Sequence, residues 1–371
     1  MSSKKMMLLV GVEPDSLLNF RGDLLKILAN SSLSVTIITK PLDKNQKIKL
    51  ESLGVDSEHV DFSRNGLNPA TDLKTLFNLF LKFRAIQPDI ILAYTIKPII
   101  WGGLASRLYK TNFYSLITGL GFAFQGDSFK RKLLTKLVVF LYKIALKNSK
   151  AVIFQNTNNR DVFVSKGIVE LSKTHIVNGS GVNLEKYNVE NLPRSGIKFL
   201  CLSRLLGEKG LREYAEAAKI VKDKFPDVRF DLVGPEDSSP DAILLNEVNS
   251  WSGYINYKGS AADVRPYIKD SHVYVLPSYH EGLPRSTLEA MSMGRPVLTT
   301  NAVGCKETVE EGVNGFMVPV GSIIKLAEKM IWYIENKDKI QSMGEESRRI
   351  VENKFDVHKV NKEMLQILGV E

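Results

Sequence analysis

The chain has 371 residues, about twice the usual single-domain length, of which 44% are hydrophobic and 25% charged, so two globular domains are expected. Two cysteines, Cys201 and Cys305, exclude a disulfide-stapled scaffold and suit a reducing compartment, and the lack of any run of roughly 18 apolar residues excludes a membrane-spanning helix. The net charge of +9 is uneven: residues 1–180 carry 25 Lys and Arg against 13 Asp and Glu, whereas residues 181–371 carry 25 against 28.

Along the chain, strand and helix patterns alternate. KMMLLVGV runs straight into Glu13, Pro14 and Asp15 without a small-residue cleavage site, which predicts a first buried strand rather than a signal peptide. Apolar runs LSVTIITK, DIILAYT, FYSLITG, AVIFQN and THIVNG follow, separated by helical stretches near 16–29, 69–86, 98–109, 130–147 and 158–166. The stretch from Ser128 to Lys150 holds Lys130, Arg131, Lys132, Lys136, Lys143, Lys147 and Lys150 and no acid. Its apolar residues Leu133, Leu134, Leu137, Val138, Leu141, Ile144 and Ala145 recur at three and four, which predicts an amphipathic basic helix. Such a helix is either an ordinary domain helix with solvated lysines or one that faces an anionic surface, a membrane or a nucleic acid. Its leucine and valine face is expected in the core, with only the lysine edge and Phe129 left to touch lipid.

The alternation then restarts with IKFLCLSR, VRFDLVG, YINYKG, HVYVLPS, RPVLTT and GFMVP, interleaved with helices near 210–224, 261–269, 284–293 and 322–336. NVENLPRSG has the polar, Pro- and Gly-bearing composition of a linker. The expected division is therefore a domain over 1–187, a linker over 188–196, a second domain over 197–354, and a C-terminal helix over 355–371 that packs back toward the first domain. Continuous β-branched runs joined by helices predict parallel, doubly wound α/β sheets, whose ligands bind beyond the carboxyl ends of the strands, here in one interdomain cleft.

Absent motifs narrow the chemistry. The first strand ends in GVEPDSLL, and TGLGF has no third glycine, so a nicotinamide site is not expected. No D-x-D occurs, and His59, His175, His272, His280 and His358 are scattered, so no metal is expected. HEGLPRSTLEAMSMGRPVLTT, in contrast, sets Glu281 and Glu289 eight positions apart around the turn Gly282-Leu283-Pro284. One reading is a capping box in which Glu289 reaches back to Ser286 and Glu281 is only a loop acid. Two features favour a binding site. The helix start follows a strand, where its free N–H groups suit phosphate, and SRLLGEKG aims Arg204 and Lys209 into the same cleft. A cation about 4 Å from a phosphate contributes about 4 kcal/mol at an effective dielectric near 20, enough for the pair to hold a diphosphate without metal.

With these motifs the second half resembles the nucleotide-sugar domain of the retaining glycosyltransferases of family 4, which have the GT-B fold: two doubly wound Rossmann-like domains facing across an interdomain cleft. YTIKPIIWGGLA and ITGLGFAF make the first half similar to a branch that builds bacterial surface polysaccharides on polyprenyl diphosphate carriers. The resemblance implies that Glu281, Arg204 and Lys209 are catalytic, the two cations neutralising the leaving nucleotide diphosphate. It implies that Glu289 accepts from the ribose hydroxyls and that Glu281 with the backbone of Gly282, Leu283, Pro284 and Arg285 holds the sugar. Ser286, Thr287 and Leu288 then offer amides to the phosphates, and the base rests near Lys258–Val264, at Gly259. Gly11, Arg21, Lys97, Thr118 and Gly119 are placed on the acceptor side.

Many members of the family carry a histidine where this chain has Thr118; the departing diphosphate can take the acceptor proton instead. The implied reaction moves a hexose or N-acetylhexosamine from a UDP-sugar donor to a polyprenyl-diphosphate-linked saccharide, with retained α configuration and with no metal or other cofactor. The implied setting is cytoplasmic, peripheral on the anionic inner face of a bacterial plasma membrane, with no nucleic-acid partner. A UDP-N-acetylglucosamine 2-epimerase-like enzyme, a soluble glucan synthase and a basic nucleic-acid-binding protein stand as alternatives.

Overall fold

The computed structural model describes residues 5–62, 68–109, 111–120, 124, 129–194 and 196–370, with residues 130 and 131 in backbone only. Gly121 of the TGLGF stretch and Ser128, at the start of the basic stretch, lie outside the described residues, as do the side chains of Lys130 and Arg131. The chain divides into two compact units, Met1–Ser180 with Val360–Glu371, and Gly181–Lys359.

The first unit runs β1 (Lys5–Val10), α1 (Pro14–Ala29), β2 (Leu33–Thr39), α2 (Lys44–Ser52), β3 (Asp56–His59), α3 (Pro69–Ile86), β4 (Ile90–Tyr94), α4 (Ile96–Ser106), β5 (Asn112–Ile117), α5 (Phe129–Leu146), β6 (Ala151–Phe154), α6 (Thr157–Ser165) and β7 (Thr174–Ile176). Its strands form a parallel sheet in the order β3-β2-β1-β4-β5-β6-β7. Because successive strand residues point to opposite faces, β1 divides its side chains between two cores. Leu8 and Val10 join Leu79 and Phe83 of α3, Ile99 of α4 and Val138, Tyr142 and Leu146 of α5 on one face. Met7 and Leu9 join Leu17, Leu24 and Leu28 of α1 on the other.

Two elements of this unit carry no apolar run. β3, sequence DSEH, is an edge strand and can be polar. α2 is opened by a capping box in which Asp43 accepts from the Gln46 amide and Gln46 reaches back to Asp43. The expectation that the α5 leucines face the core needs correction. Val138 and Ala145 are buried, but Leu133 and Leu137 are exposed.

The second unit runs β8 (Lys198–Leu202), α7 (Leu211–Lys224), β9 (Arg229–Val233), α8 (Leu245–Ser250), β10 (Asn256–Tyr257), α9 (Arg265–Lys269), β11 (Val273–Leu276), α10 (Arg285–Ser292), β12 (Val297–Thr300), β13 (Gly315–Val318), α11 (Ile323–Glu335) and α12 (Lys337–Ile350). Its parallel sheet has the order β10-β9-β8-β11-β12-β13, with Phe199 and Leu200 again turned to opposite cores. The last helix, α13 (Val357–Leu368), places Met364 and Leu368 in the core with Met7 and Leu9, and the Leu368 carbonyl accepts from the Tyr114 hydroxyl at 3.3 Å.

The division falls at Ser180/Gly181, ahead of the stretch read as a linker. Val182 exchanges backbone hydrogen bonds with Phe355 and Val357, which ties residues 181–187 into the second unit. Stretch 188–196 is also fastened there. The fully buried Arg295 guanidinium donates to the carbonyls of Glu190 at 2.7 Å and Asn191 at 3.2 Å, and His272 Nε2 lies 3.1 Å from the Pro193 carbonyl.

Candidate functional site

In the second unit the chain leaves β8 toward β9 and leaves β11 toward β12, in opposite directions across the sheet, so the loops after these paired neighbours part and leave a crevice at the strands' carboxyl ends. The loop after β8 carries Arg204 and Lys209. It is fixed by backbone hydrogen bonds: Leu205 donates to the Pro235 carbonyl, Ile243 donates to Leu205, and the Glu208 amide donates to Asp241 Oδ2 at 2.6 Å. The loop after β11 carries Glu281 and is tied to the same place, since the Tyr279 amide and the Ser278 hydroxyl both donate to the Glu208 carbonyl. The Glu281 amide donates to Val303 at 2.9 Å, and the backbone of Gly304 (φ +86°) passes so close that a Cβ would lie 2.3 Å from the Glu281 carbonyl. Only glycine meets both demands.

These loops bring Lys209 Nζ to 2.7 Å from Glu281 Oε1, with both side chains largely buried. Burial draws the Lys209 ammonium down, but the charge and hydrogen bond of Glu281, with Glu208 behind it, outweigh burial and leave the ammonium raised. Lys209 therefore stays a cation through the neutral range. Arg204 pairs with Asp237, in the loop after β9. Burial alone would raise the Asp237 carboxyl; hydrogen bonds from Ser239 and the Arg204 charge bring it below its ordinary range. Burial draws the His280 imidazole down, Glu281 offsetting part, so a neutral imidazole stands next to the ion pair.

α10 starts differently from the capping-box alternative. Its N-cap is the buried Pro284, with no side-chain cap, and the Ser286 hydroxyl accepts from the buried Tyr274 at 2.6 Å. Glu289 instead receives Arg285 Nε at 3.2 Å and the Tyr187 hydroxyl. Burial pushes the Glu289 carboxyl up, and the Arg285 charge offsets only part of this. The Thr287 and Leu288 amides both donate to the Pro284 carbonyl, at 3.1 and 3.3 Å, and the Leu288 side chain is in the core. The expectation that residues 287 and 288 offer amides to phosphate is therefore corrected for both, since both amides are taken within the helix start, which the Leu288 side chain anchors. Leu283 packs against the same core, and Gly259, after β10, accepts the Gly234 amide at 2.9 Å.

In the first unit the corresponding crevice lies at the ends of β1 and β4. Gly11 follows β1, and a Cβ there would lie 2.3 Å from the Tyr94 ring. The buried Arg21 guanidinium stands 5.9 Å from that ring's centre. Thr95 takes φ +67° between β4 and α4, a conformation rare for a β-branched residue. Lys97 pairs with the buried Asp72 of α3 at 2.8 Å. Thr118 and Gly119 follow β5, half-buried, with open space where a Gly119 Cβ would be.

Asp237, Tyr187 and Asp241 were not singled out by the sequence. The acidic run PEDSSPD after a predicted strand was the available signal for the first and third; Tyr187 offered none.

Residues 196–336 match the family model described as Glycosyl transferases group 1, and residues 9–156 match Glycosyl transferase 4-like. The chain is 29% identical over 337 residues, 87% of each chain, to N,N'-diacetylbacillosaminyl-diphospho-undecaprenol alpha-1,3-N-acetylgalactosaminyltransferase of Campylobacter jejuni. It is 26% identical over 95% of its length, and 92% of the relative's, to UDP-Gal:alpha-D-GlcNAc-diphosphoundecaprenol alpha-1,3-galactosyltransferase of Escherichia coli. Among solved structures, Anabaena Alr3699/HepE in complex with UDP-glucose superposes with a TM-score of 0.80 at 20% identity over 98% of this chain and 99% of that one, a likeness of fold.

Proposed function

The chain belongs to the group 1, family 4 glycosyltransferases with the GT-B fold, and from that premise we propose that it moves a hexose or N-acetylhexosamine from a UDP-sugar to a polyprenyl-diphosphate-linked saccharide in bacterial surface-polysaccharide synthesis, with the α configuration retained. The observation that carries this reading is the Lys209–Glu281 pair at 2.7 Å, with Arg204 on the same loop, at the topological switch point of the second unit. Both relatives named above act, by their names, on undecaprenyl-diphosphate-linked sugars, and one of them uses UDP-galactose.

Lys209 and Arg204 bind the donor diphosphate and stabilise the charge that builds on it as the anomeric C–O bond breaks. The new bond forms from the acceptor oxygen to the same face of the anomeric carbon, and the acceptor proton passes to the departing phosphate oxygen, so no histidine is needed at Thr118. Glu281, held by Lys209 and by its amide on Val303, takes a sugar hydroxyl. Glu289 accepts from the ribose, and the Gly282–Arg285 backbone and the amide of Ser286 border sugar and phosphate. Gly11, Arg21, Thr118 and Gly119 serve the acceptor, whereas Lys97, also expected there, is committed to Asp72 in the packing of α3 against α4. The two cations supply the charge that a metal would otherwise supply. Catalysis is then mainly positioning and electrostatic stabilisation. The acceptor's lipid sets the chain against a membrane, and the α5 lysines meet its anionic headgroups; no helix among the described residues is long and apolar enough to cross it.

The test is a panel of UDP- and GDP-sugars scored for hydrolysis and transfer, with Lys209→Ala beside the wild type. Lys209→Ala should lower kcat/KM for the accepted UDP-sugar by roughly tenfold to a thousandfold, about 1.4 to 4 kcal/mol. Turnover should persist in excess EDTA. Unchanged kcat/KM would remove the diphosphate assignment, and loss in EDTA restored by magnesium or manganese would overturn the metal-free mechanism.

A further inference from the structure

α3 and α5 each bury one face, through Leu79 and Phe83 and through Val138, Tyr142 and Leu146. The opposite face of a surface helix is ordinarily polar. Here it is not. On α3, Leu73, Phe77 and Leu81, spaced by four, are 62%, 59% and 44% exposed. On α5, Phe129, Leu133, Leu137 and Phe140 are 83%, 61%, 45% and 58% exposed. α4 packs between the two helices on the same side of the sheet, and just beyond its end Leu108 is 70% exposed. Single exposed leucines are normal, but a stripe on each of two helices in one layer is a surface built for a partner.

The charges around the stripes identify the partner. Lys132, Lys136 and Lys143 are exposed on α5 and Lys147 just beyond its end, and no acid lies between Phe129 and Lys150. On α3 the one acid, Asp72, is buried against Lys97; at the Leu81 end Glu58 of β3 is paired with Lys82 and Asp61 is exposed nearby, so the acid-free part of the face is α5. A second copy of this face would set lysine against lysine. A bilayer of anionic lipid supplies what both features lack, hydrocarbon for the rings and leucines and negative headgroups for the lysines.

We propose that α3 and α5 form a bilayer-docking face that inserts its aromatic and leucine stripes into the acyl boundary, the lysines adding headgroup attraction. This rests on the lipid-linked acceptor proposed above and deepens it. Membrane binding then survives salt, because insertion outlasts the screening of the lysines.

Vesicles of equimolar phosphatidylglycerol and phosphatidylcholine test this by co-sedimentation of the full chain. In about 1 M NaCl, where charges are screened beyond about 3 Å, the wild type should lose no more than about threefold in partition. Phe77→Ser/Phe129→Ser/Phe140→Ser should lose on the order of a hundredfold at either salt. Lys132→Glu/Lys136→Glu should weaken binding severalfold at low salt and bind like the wild type in about 1 M NaCl. All three substituted phenylalanines are exposed, so the serine variant should keep its melting temperature.

A second measurement does not depend on that variant: Phe140→Trp should be quenched by lipids brominated along the acyl chain. Full release of wild type by salt, absence of quenching, or a wild-type dimer that the serine variant splits while vesicle binding is unchanged would each overturn the docking face. Vesicle binding uses neither donor nor acceptor, so its failure leaves the transferase reading standing, and a chain that turns over no UDP-sugar leaves the vesicle result intact.

Discussion

Two lysine–carboxylate pairs, one in each unit, look alike by distance and burial. Lys97–Asp72 spans 2.8 Å with side chains 14% and 7% exposed, and Lys209–Glu281 spans 2.7 Å with 13% and 16%. What they join is different. The first ties α3 to α4, two helices packed side by side. The second ties two loops at the carboxyl ends of β8 and β11, and each loop is already held by its own backbone hydrogen bonds. Length and burial therefore say little about a pair's role, and its place in the sheet topology says more. A tie between helices is part of the packing; a tie between loops that stand without it is free to exchange one carboxylate for a phosphate.

The largest effect that can break this comparison belongs to the first pair. Lys97→Met should leave Asp72 buried without its counter-charge, at a cost of roughly 3 to 5 kcal/mol, and should lower the melting temperature by roughly 6 °C or more. UDP binding in the second unit should not change. Circular dichroism melting and calorimetric UDP titration read the two separately. A Lys97→Met chain with wild-type melting and lost transfer would move Lys97 from the packing to the acceptor site.

A smaller effect sharpens the second unit's side of the comparison through pH. Burial raises the Glu289 carboxyl above its ordinary range even though Arg285 is 3.2 Å away, whereas Lys209 is held raised. As pH falls, Glu289 protonates early while Lys209 keeps its charge. Donor affinity should then fall on the acid side by about tenfold as the ribose acceptor becomes neutral. Glu289→Gln, neutral at every pH, should flatten that limb and start at the lower affinity. An acid limb that persists in Glu289→Gln would assign the titration to another group.

How much of this was legible depends on whether a signal is local. The strand runs marked the two doubly wound sheets because a parallel strand buried on both faces must be apolar along its length. β3 was not legible, since an edge strand can read DSEH, and neither was α2, although its Asp43–Gln46 capping box was there to be read. Arg204, Lys209 and Glu281 could be singled out because each lies just after a predicted strand. Asp237 also follows a predicted strand, in PEDSSPD, but its partner Arg204 could not be read from that run, and Tyr187 offered no signal, since its role exists only through contact with Glu289 far along the chain. The same holds for Arg295, whose hydrogen bonds fasten a stretch that composition alone makes a linker. On α5 the three-and-four spacing revealed apolar faces but not which of them meets the sheet, so the outward Leu133 and Leu137 read as core.

The smallest expected effect concerns Asp237, where two influences oppose each other. Asp237 holds the Arg204 guanidinium in place, which favours donor binding, and it also competes with the diphosphate for that cation, which disfavours it. Exposure decides which is larger. The Asp237 side chain is only 4% exposed, but the Arg204 side chain is 41% exposed, so solvent screens the guanidinium end and the pair contributes on the order of 0.2 to 1 kcal/mol. The loop position of Arg204 does not depend on it, because Leu205 is fixed to Pro235 and Ile243 through the backbone. Competition should therefore win. Asp237→Asn, which keeps an oxygen for the Ser239 amide, should tighten UDP binding by about fivefold at most, with kcat little changed. Calorimetric titration of UDP at low and high salt reads this directly, and the gain should shrink as salt rises. Weakening by tenfold or more would mean that Asp237 aims Arg204 at the phosphate, and the guanidinium would then depend on its carboxylate as closely as Lys97 depends on Asp72.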